Sequence, residues 1–370
     1  MPKSSLFKIL PATPVLLAAA LAMIWGAGCG PSPRWDVDLS HVELLQYANS
    51  HRPFETVAQN APLPQLADLD DLEGAFWTAY FEHVLQLGSL DGNGDRALGA
   101  VGEAGARARR DSLAGAFDAF CRHESTRLAL GGIDSIVVPQ LARAEKSLAQ
   151  AFGRFSVHFP QARTPDIFWM YSGFNYAVYP QGEVLGVGLE FYLGADHPAV
   201  TGLPVSIYPR YAQRRMVPEH LVSDALRGWL LVHFQADYHP GRSTTASQIL
   251  YWGKMLYVAR AIAPDLTLEQ ILNWDQDELA WAQKNELDIW IELRKEEILY
   301  SKRTADALRW TRDAPFTAAG AVPQESPDRL GWYMGLRWVE DFMDRHPNLS
   351  LQELLDKKDV LPFLQTYRPL

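Results

Sequence analysis

The chain has 370 residues, 48% of them hydrophobic and 21% charged, with 12 Trp, 14 Tyr and 16 Phe. This composition is globular and excludes disorder, collagen and coiled coil as overall descriptions. Lys and Arg total 34 against 44 Asp and Glu, a formal charge of −10, so the chain lacks the electrostatic footprint of a phosphate-backbone binder and nucleic acid is not an expected partner.

At the N-terminus, Lys3 and Lys8 flank the start of an uncharged apolar run, Ile9–Trp25, which closes in Gly26-Ala27-Gly28-Cys29. A basic start, an apolar stretch and small residues are the layout of a bacterial secretory signal. The run is shorter than the roughly 20 residues a spanning helix needs, and Pro11 and Pro14 interrupt it. Small residues before a lone Cys resemble a lipobox, the site where lipoproteins are diacylated and cut. Gly26 departs from that pattern, which favours Leu. Residues 1–28 are therefore expected to be a lipoprotein signal and Cys29 the lipidated residue. Each buried acyl methylene is worth about 0.8 kcal/mol, so several chains on one Cys anchor stably. The remaining Cys121 lies at helical spacing among apolar residues and reads as a buried, inert thiol.

Residues 29–40, polar and Pro-rich, read as a tether. Residues 41–160 read as an N-terminal helical region. It opens with a short helix at 41–48, continues through helices at 70–87, 112–127 and 138–152, and has a Gly-rich loop at 88–108. After Phe155 the pattern changes. Residues 167–171, 176–179 and 184–192 are aromatic and β-branched runs split by Ser-Gly and Gln-Gly turns, which predicts a small antiparallel sheet. Beyond Met216 the spacing predicts helices at 216–236, 244–262, 268–273, 276–299, 303–309, 327–345 and 350–356. The class is α+β, mostly helical, with residues 161–370 packed as one unit with the helices before them.

Several motifs resemble the beginnings of known sites. Asp91-Gly-Asn93-Gly-Asp95 begins like a calcium loop, but Arg96 stands where Gly is needed and Gly102 where Glu is needed. His123-Glu124 is followed by Arg127, so the second histidine of a zinc helix is missing. Met216 replaces the first histidine before Glu219-His220, and His233 and His239 are six apart, off a shared helix face. No phosphate loop, dinucleotide fingerprint or Gly-x-Ser-x-Gly occurs, and no cofactor is expected.

Blocks spread along the mature chain carry a resemblance. They include Phe76-Trp77-Thr-Ala-Tyr80, Met170-Tyr-Ser172-Gly173-Phe174-Asn175, and Gly186-Val-Gly188-Leu-Glu190. The strongest runs from Tyr208-Pro-Arg-Tyr211 through Arg215-Met216-Val-Pro218-Glu219 to Arg227-Gly228-Trp229. Later blocks are Tyr251-Trp-Gly253-Lys254, Ala314-Pro315-Phe316-Thr317 and Ser326-Pro327-Asp328-Arg329. Together they resemble the gliding-motility lipoprotein GldB family. The resemblance implies a membrane-held accessory protein of gliding and type IX secretion, facing the periplasm, more at the outer than the inner membrane. It implies motility or secretion proteins as partners and no assigned catalytic activity.

The layout also looks, more distantly, like a gluzincin metallopeptidase. Aligning on the Arg215–Leu230 segment puts Ser223 and Arg227 where zinc histidines would stand and Trp252 where a late carboxylate would fall. That resemblance implies a zincin-like architecture whose metal motif is lost. Its former cleft would collect Glu219, His220, Asp224, Arg227, Trp252, Glu286 and Arg329, with Asp224 and Arg227 at i, i+3 able to pair. Three readings stay open: a non-catalytic interaction lipoprotein, a metal-dependent hydrolase with unrecognised ligands, and a periplasmic module binding peptide or glycan. The segment Ala314–Gly335 is expected to dock against 215–230, with Gly331 and Gly335 permitting close backbone approach.

Overall fold

A computed structural model describes residues 35, 37–42, 44, 76, 79–88, 103–235 and 243–369. The leader, Cys29, the calcium-like Asp91–Asp95 run and His239 lie outside the described residues. The body is already engaged at residue 35. Trp35 is buried, donates from Nε1 to the Tyr257 hydroxyl at 3.1 Å and meets the His158 ring edge-on at 5.5 Å. A 3-10 turn, Leu39–His41, follows, capped by the Asp38 carboxylate. The later part of the expected tether is thus docked on the body.

A π-helical turn at Tyr80–Val84 precedes α1 (Glu103–Arg122), so the Gly-rich loop ends earlier than its composition suggests. The expected 112–127 helix breaks at His123, which is extended and caps α2 (Glu124–Gly132) through the Ser125 amide. A second π turn, Ile133–Val137, leads into α3 (Val138–His158). Pro139 has no N–H to give to the preceding turn, and a widened turn absorbs that loss. Leu141, Leu148, Phe152 and Phe155 form the buried stripe of α3.

The sheet holds β1 (Asp166–Met170), β2 (Val178–Gln181) and β3 (Val184–Gly188) in the order β1-β3-β2. β2 and β3 form the antiparallel hairpin that the Gln-Gly turn predicts, with Gly182 at φ 60°. β1, however, runs parallel to β3, pairing Ile167 with Leu185, so the sheet is mixed and not antiparallel. The segment after Met170 crosses to the far side of β3 before the chain turns back, and that crossover reverses the sense of pairing. β3 is buried at every position, as expected for a strand covered on both faces. It stops at Gly188, where the expected strand continued to 192. Leu189–Tyr192 is instead a 3-10 turn.

Short helices α4 (Pro198–Thr201) and α5 (Arg210–Gln213) lead to α6 (Leu221–His233). Phe152 and Phe155 of α3 pack edge-on against Trp229 and His233 of α6. Then come α7 (Thr245–Ile262), α8 (Leu268–Leu272), α9 (Gln276–Lys284) and α10 (Glu286–Arg294). The expected 276–299 helix is therefore interrupted at Asn285 and ends in a 3-10 turn, Lys295–Tyr300. α11 (Thr304–Thr311) and α12 (Leu330–Arg345) complete the core, and α13 (Leu351–Asp356) and α14 (Leu361–Thr366) close it. α7 is buried nearly all round, so it is the central helix of this half. α12 crosses it at Gly253 and Gly335, each lying against the other's backbone. The close approach expected from Gly335 thus occurs, but onto α7 instead of the 215–230 segment.

Candidate functional site

The segment Ala314–Gly335 does reach the 215–230 segment, through charge. Asp328 is fully buried and takes both Nη1 and Nη2 of Arg215 at 2.8 Å. It also accepts from Trp274 Nε1 at 3.3 Å, the Ala314 amide at 3.0 Å and Arg329 Nε at 3.1 Å. Burial alone would raise its carboxyl, but Arg329 and Arg215 outweigh it and hold the group below the usual carboxylate range. Arg329 is 3% exposed, sits at φ 51°, and donates to the Asn273 carbonyl at 3.0 Å. This is a satisfied buried network: two guanidiniums, one carboxylate, and donors that fill its remaining lone pairs.

Beside it lies the i, i+3 pair. Arg227 Nη2 bonds Asp224 Oδ1, and both side chains are close to seven-eighths buried. Asp224 also accepts from Asn273 Nδ2 at 3.1 Å, and Arg227 donates to the Ile271 carbonyl at 3.2 Å. Trp332 joins the two clusters. Its ring lies 4.7 Å from Arg329 Cζ and 5.6 Å from Arg227 Cζ, and stacks on Trp252 at 4.2 Å. Asp224, Arg227, Trp252 and Arg329 are thus brought together. Arg227 and Trp252, two of the positions where the metallopeptidase resemblance would place zinc ligands, join this charged and aromatic contact through Trp332, while Ser223 donates to the His220 carbonyl at 3.0 Å.

Glu286 is not part of this centre. It is the first residue of α10, fully buried against α12 and the C-terminal end, accepting from Tyr333 Oη, from Tyr367 Oη at 2.7 Å and from Arg337 Nε at 3.3 Å. Glu219 and His220 stand beside the charged centre, lining a cavity of about 360 Å³ that also meets Tyr211, Arg214, Gln270 and the Arg215 and Trp274 of the Asp328 network. No group of three His, Cys, Asp or Glu suited to a metal ion occurs among the described residues. His233 is packed between Phe155, Trp229 and Phe234. Cys121 is 1% exposed, and burial pushes its thiol up to about 12, in keeping with an inert core residue.

Sequence reasoning missed Glu190 as a special group. It is fully buried, and Oε1 accepts from the amides of Ser172 at 2.7 Å and Phe174 at 2.9 Å and from Ser172 Oγ, while Oε2 has no hydrogen-bond partner among the described residues. Burial raises its carboxyl to about 7 against these donors. The sign follows from proton uptake. Between about pH 4.5 and 7 the folded chain keeps a proton that the unfolded chain has released. Stability should therefore fall across that window by about 3 kcal/mol on account of Glu190. Urea unfolding at pH 5 and pH 7.5 checks this, and Glu190→Gln, which keeps the carbonyl acceptor, should flatten the difference.

The fold and centre define a mostly helical α+β body built around buried ion pairs. The family described as gliding motility protein GldB matches residues 34–369, and the chain belongs to that family, whose label marks lipoproteins. Its involvement in gliding motility follows from that membership. No curated protein and no solved structure matches the chain.

Proposed function

We propose that the chain is a lipid-anchored accessory component of the gliding machinery and its associated type IX secretion. Cys29 would hold it to the membrane, more at the outer one, facing the periplasm. The family match from residue 34 to 369, a few residues behind Cys29 and the expected signal at 1–28, carries the reading. The Asp224–Arg227 and Asp328 clusters support a non-catalytic role, because a guanidinium has no lone pair for a metal and these groups are consumed by one another.

The anchor sets an orientation. The stretch from Cys29 to Trp35 can span at most about 20 Å, so the end of α3 that carries His158 would lie near the lipid. The cavity beside His220 opens at the other end of α6, roughly 20 Å along its axis. That end would be free to meet proteins of the apparatus.

Labelled fatty acid should enter the wild type and sediment it with membranes. Cys29→Ser should neither label nor sediment. Equal labelling of both, or of neither, would sink the anchor.

A further inference from the structure

The described chain starts at Trp35, at the end of the body where α3 stops. Trp35 meets the His158 ring edge-on and donates to the Tyr257 hydroxyl. The residues after it lead back along α3, and the side chains of Leu39, Val42 and Leu44 lie against Gly153. The stretch back to Cys29 therefore leaves the body at the C-terminal end of α3. Gly153 and Val157 are four residues apart and share a helix face, so Val157 stands beside that exit, 45% exposed. The rings of Phe155 and Phe159 lie 6.3 and 5.5 Å from Phe234, so α6 ends here too, with Val232 exposed.

Charge sets this end apart. The chain carries 44 Asp and Glu, yet none falls in 147–165 or 225–235, the stretches that form the two helix ends. Burial lowers His158 and His233 and keeps both rings neutral. Arg163 is paired with Glu183, and Arg154 donates to the Ile262 carbonyl at 3.4 Å. An acidic body is repelled by anionic headgroups, and it is repelled least where it carries no carboxylates.

The opposite end lies out of reach of the anchor. Trp169 of β1 donates to Glu145 of α3 at 3.0 Å, so β1 runs back along α3, away from His158. Tyr208 donates to the carbonyl of Phe174, just past β1, and its neighbour Ile207 is 68% exposed. α3 spans roughly 30 Å. Exposure alone thus does not mark a lipid face; the root of the tether does.

We propose that the end of the body formed by the C-terminal ends of α3 and α6 rests on the bilayer surface, with Val157 at the headgroup boundary and Ile207 held away from it. The inference rests on the lipid anchor at Cys29 and adds a seat to it. At most about 20 Å of chain joins Cys29 to Trp35, and the buried indole fixes where that chain is rooted. So short a lead keeps the body from turning over.

The test uses the full-length lipoprotein carrying Val157→Cys or Ile207→Cys, spin-labelled and reconstituted into vesicles of phosphatidylethanolamine and phosphatidylglycerol. Cys121 is buried, with its thiol raised to about 12, and does not take the label. Flotation with the vesicles reports the anchor. Accessibility of each label to oxygen, which concentrates in lipid, and to a water-soluble nickel chelate reports the seat. The oxygen-to-nickel ratio at 157 should be several-fold higher than at 207. Equal ratios in protein that floats would overturn the seat and leave the anchor standing. A label at 157 shielded from both reagents would mean that protein covers this end, and would overturn the seat as well. Failure to float would sink the anchor and the seat together.

Discussion

Gly335→Ala should collapse the stability of the helical half. A Cβ at this position would land on the Ile249 carbonyl oxygen, within 3.0 Å of the Ile249 carbonyl carbon and 3.1 Å of Gly253 Cα. These are backbone atoms of α7, a helix buried on nearly every side, so they cannot rotate away as a side chain would. Alanine gains about 1 kcal/mol of helix propensity over glycine. Overpacking typically costs 1–3 kcal/mol and more where backbone must move. The second effect wins here, because separating α7 from α12 also disturbs the Trp252–Trp332 stack and the packing of Leu336 and Val339. A net loss of about 3 kcal/mol is expected in urea unfolding. Gly115→Ala is the control: it lies exposed on α1 with nothing within 4 Å of an added Cβ, so only the propensity gain applies.

Asp328→Ala should cost a similar amount by a different route. It strips the carboxylate from Arg215 and from the buried Arg329, and leaves the Trp274 indole and the Ala314 amide without their acceptor. Removing one member of a buried ion pair costs about 3–5 kcal/mol, since the remaining charge stays desolvated. Asp313, 3.2 Å from Arg329 but 70% exposed, compensates little. The pH dependence separates this from a packing defect. Asp328 titrates below the usual range, so its contribution is present above the ordinary carboxyl pKa and is lost as pH falls through the lowered one. Wild type and variant should converge in acid and diverge toward neutrality, as read by denaturant midpoints across pH.

The helices that carry their own start signals are legible in the sequence. Residues 244–262 were read within one residue of α7, whose Thr244 caps it through the Ser247 amide, and 350–356 matched a helix with a Ser350–Glu353 capping box. The break at Asn285 was not, because neither Pro nor Gly marks it and the apolar spacing continues across it. Strand direction was also hidden: the composition of β1 is the same for either sense of pairing, and only the crossover after Met170 decides. The charged centre was half legible. Asp224 and Arg227 meet within one helix turn, and local spacing can suggest that. Arg215 and Asp328 are 113 residues apart, and nothing in either neighbourhood names the other. Glu286 was misplaced for the same reason: its partners Tyr333 and Tyr367 come from α12 and the C-terminal end, not from the 215–230 segment.

Colony spreading on agar by cells whose only copy carries Cys29→Ser tests the account most directly. The variant body should still accumulate, folded and released from membranes, because Cys29 precedes the docked Trp35 and the core behind it. Spreading should be lost or reduced to that of cells lacking the gene. Wild-type spreading by cells that make only the unanchored protein would contradict a lipid-held role in gliding.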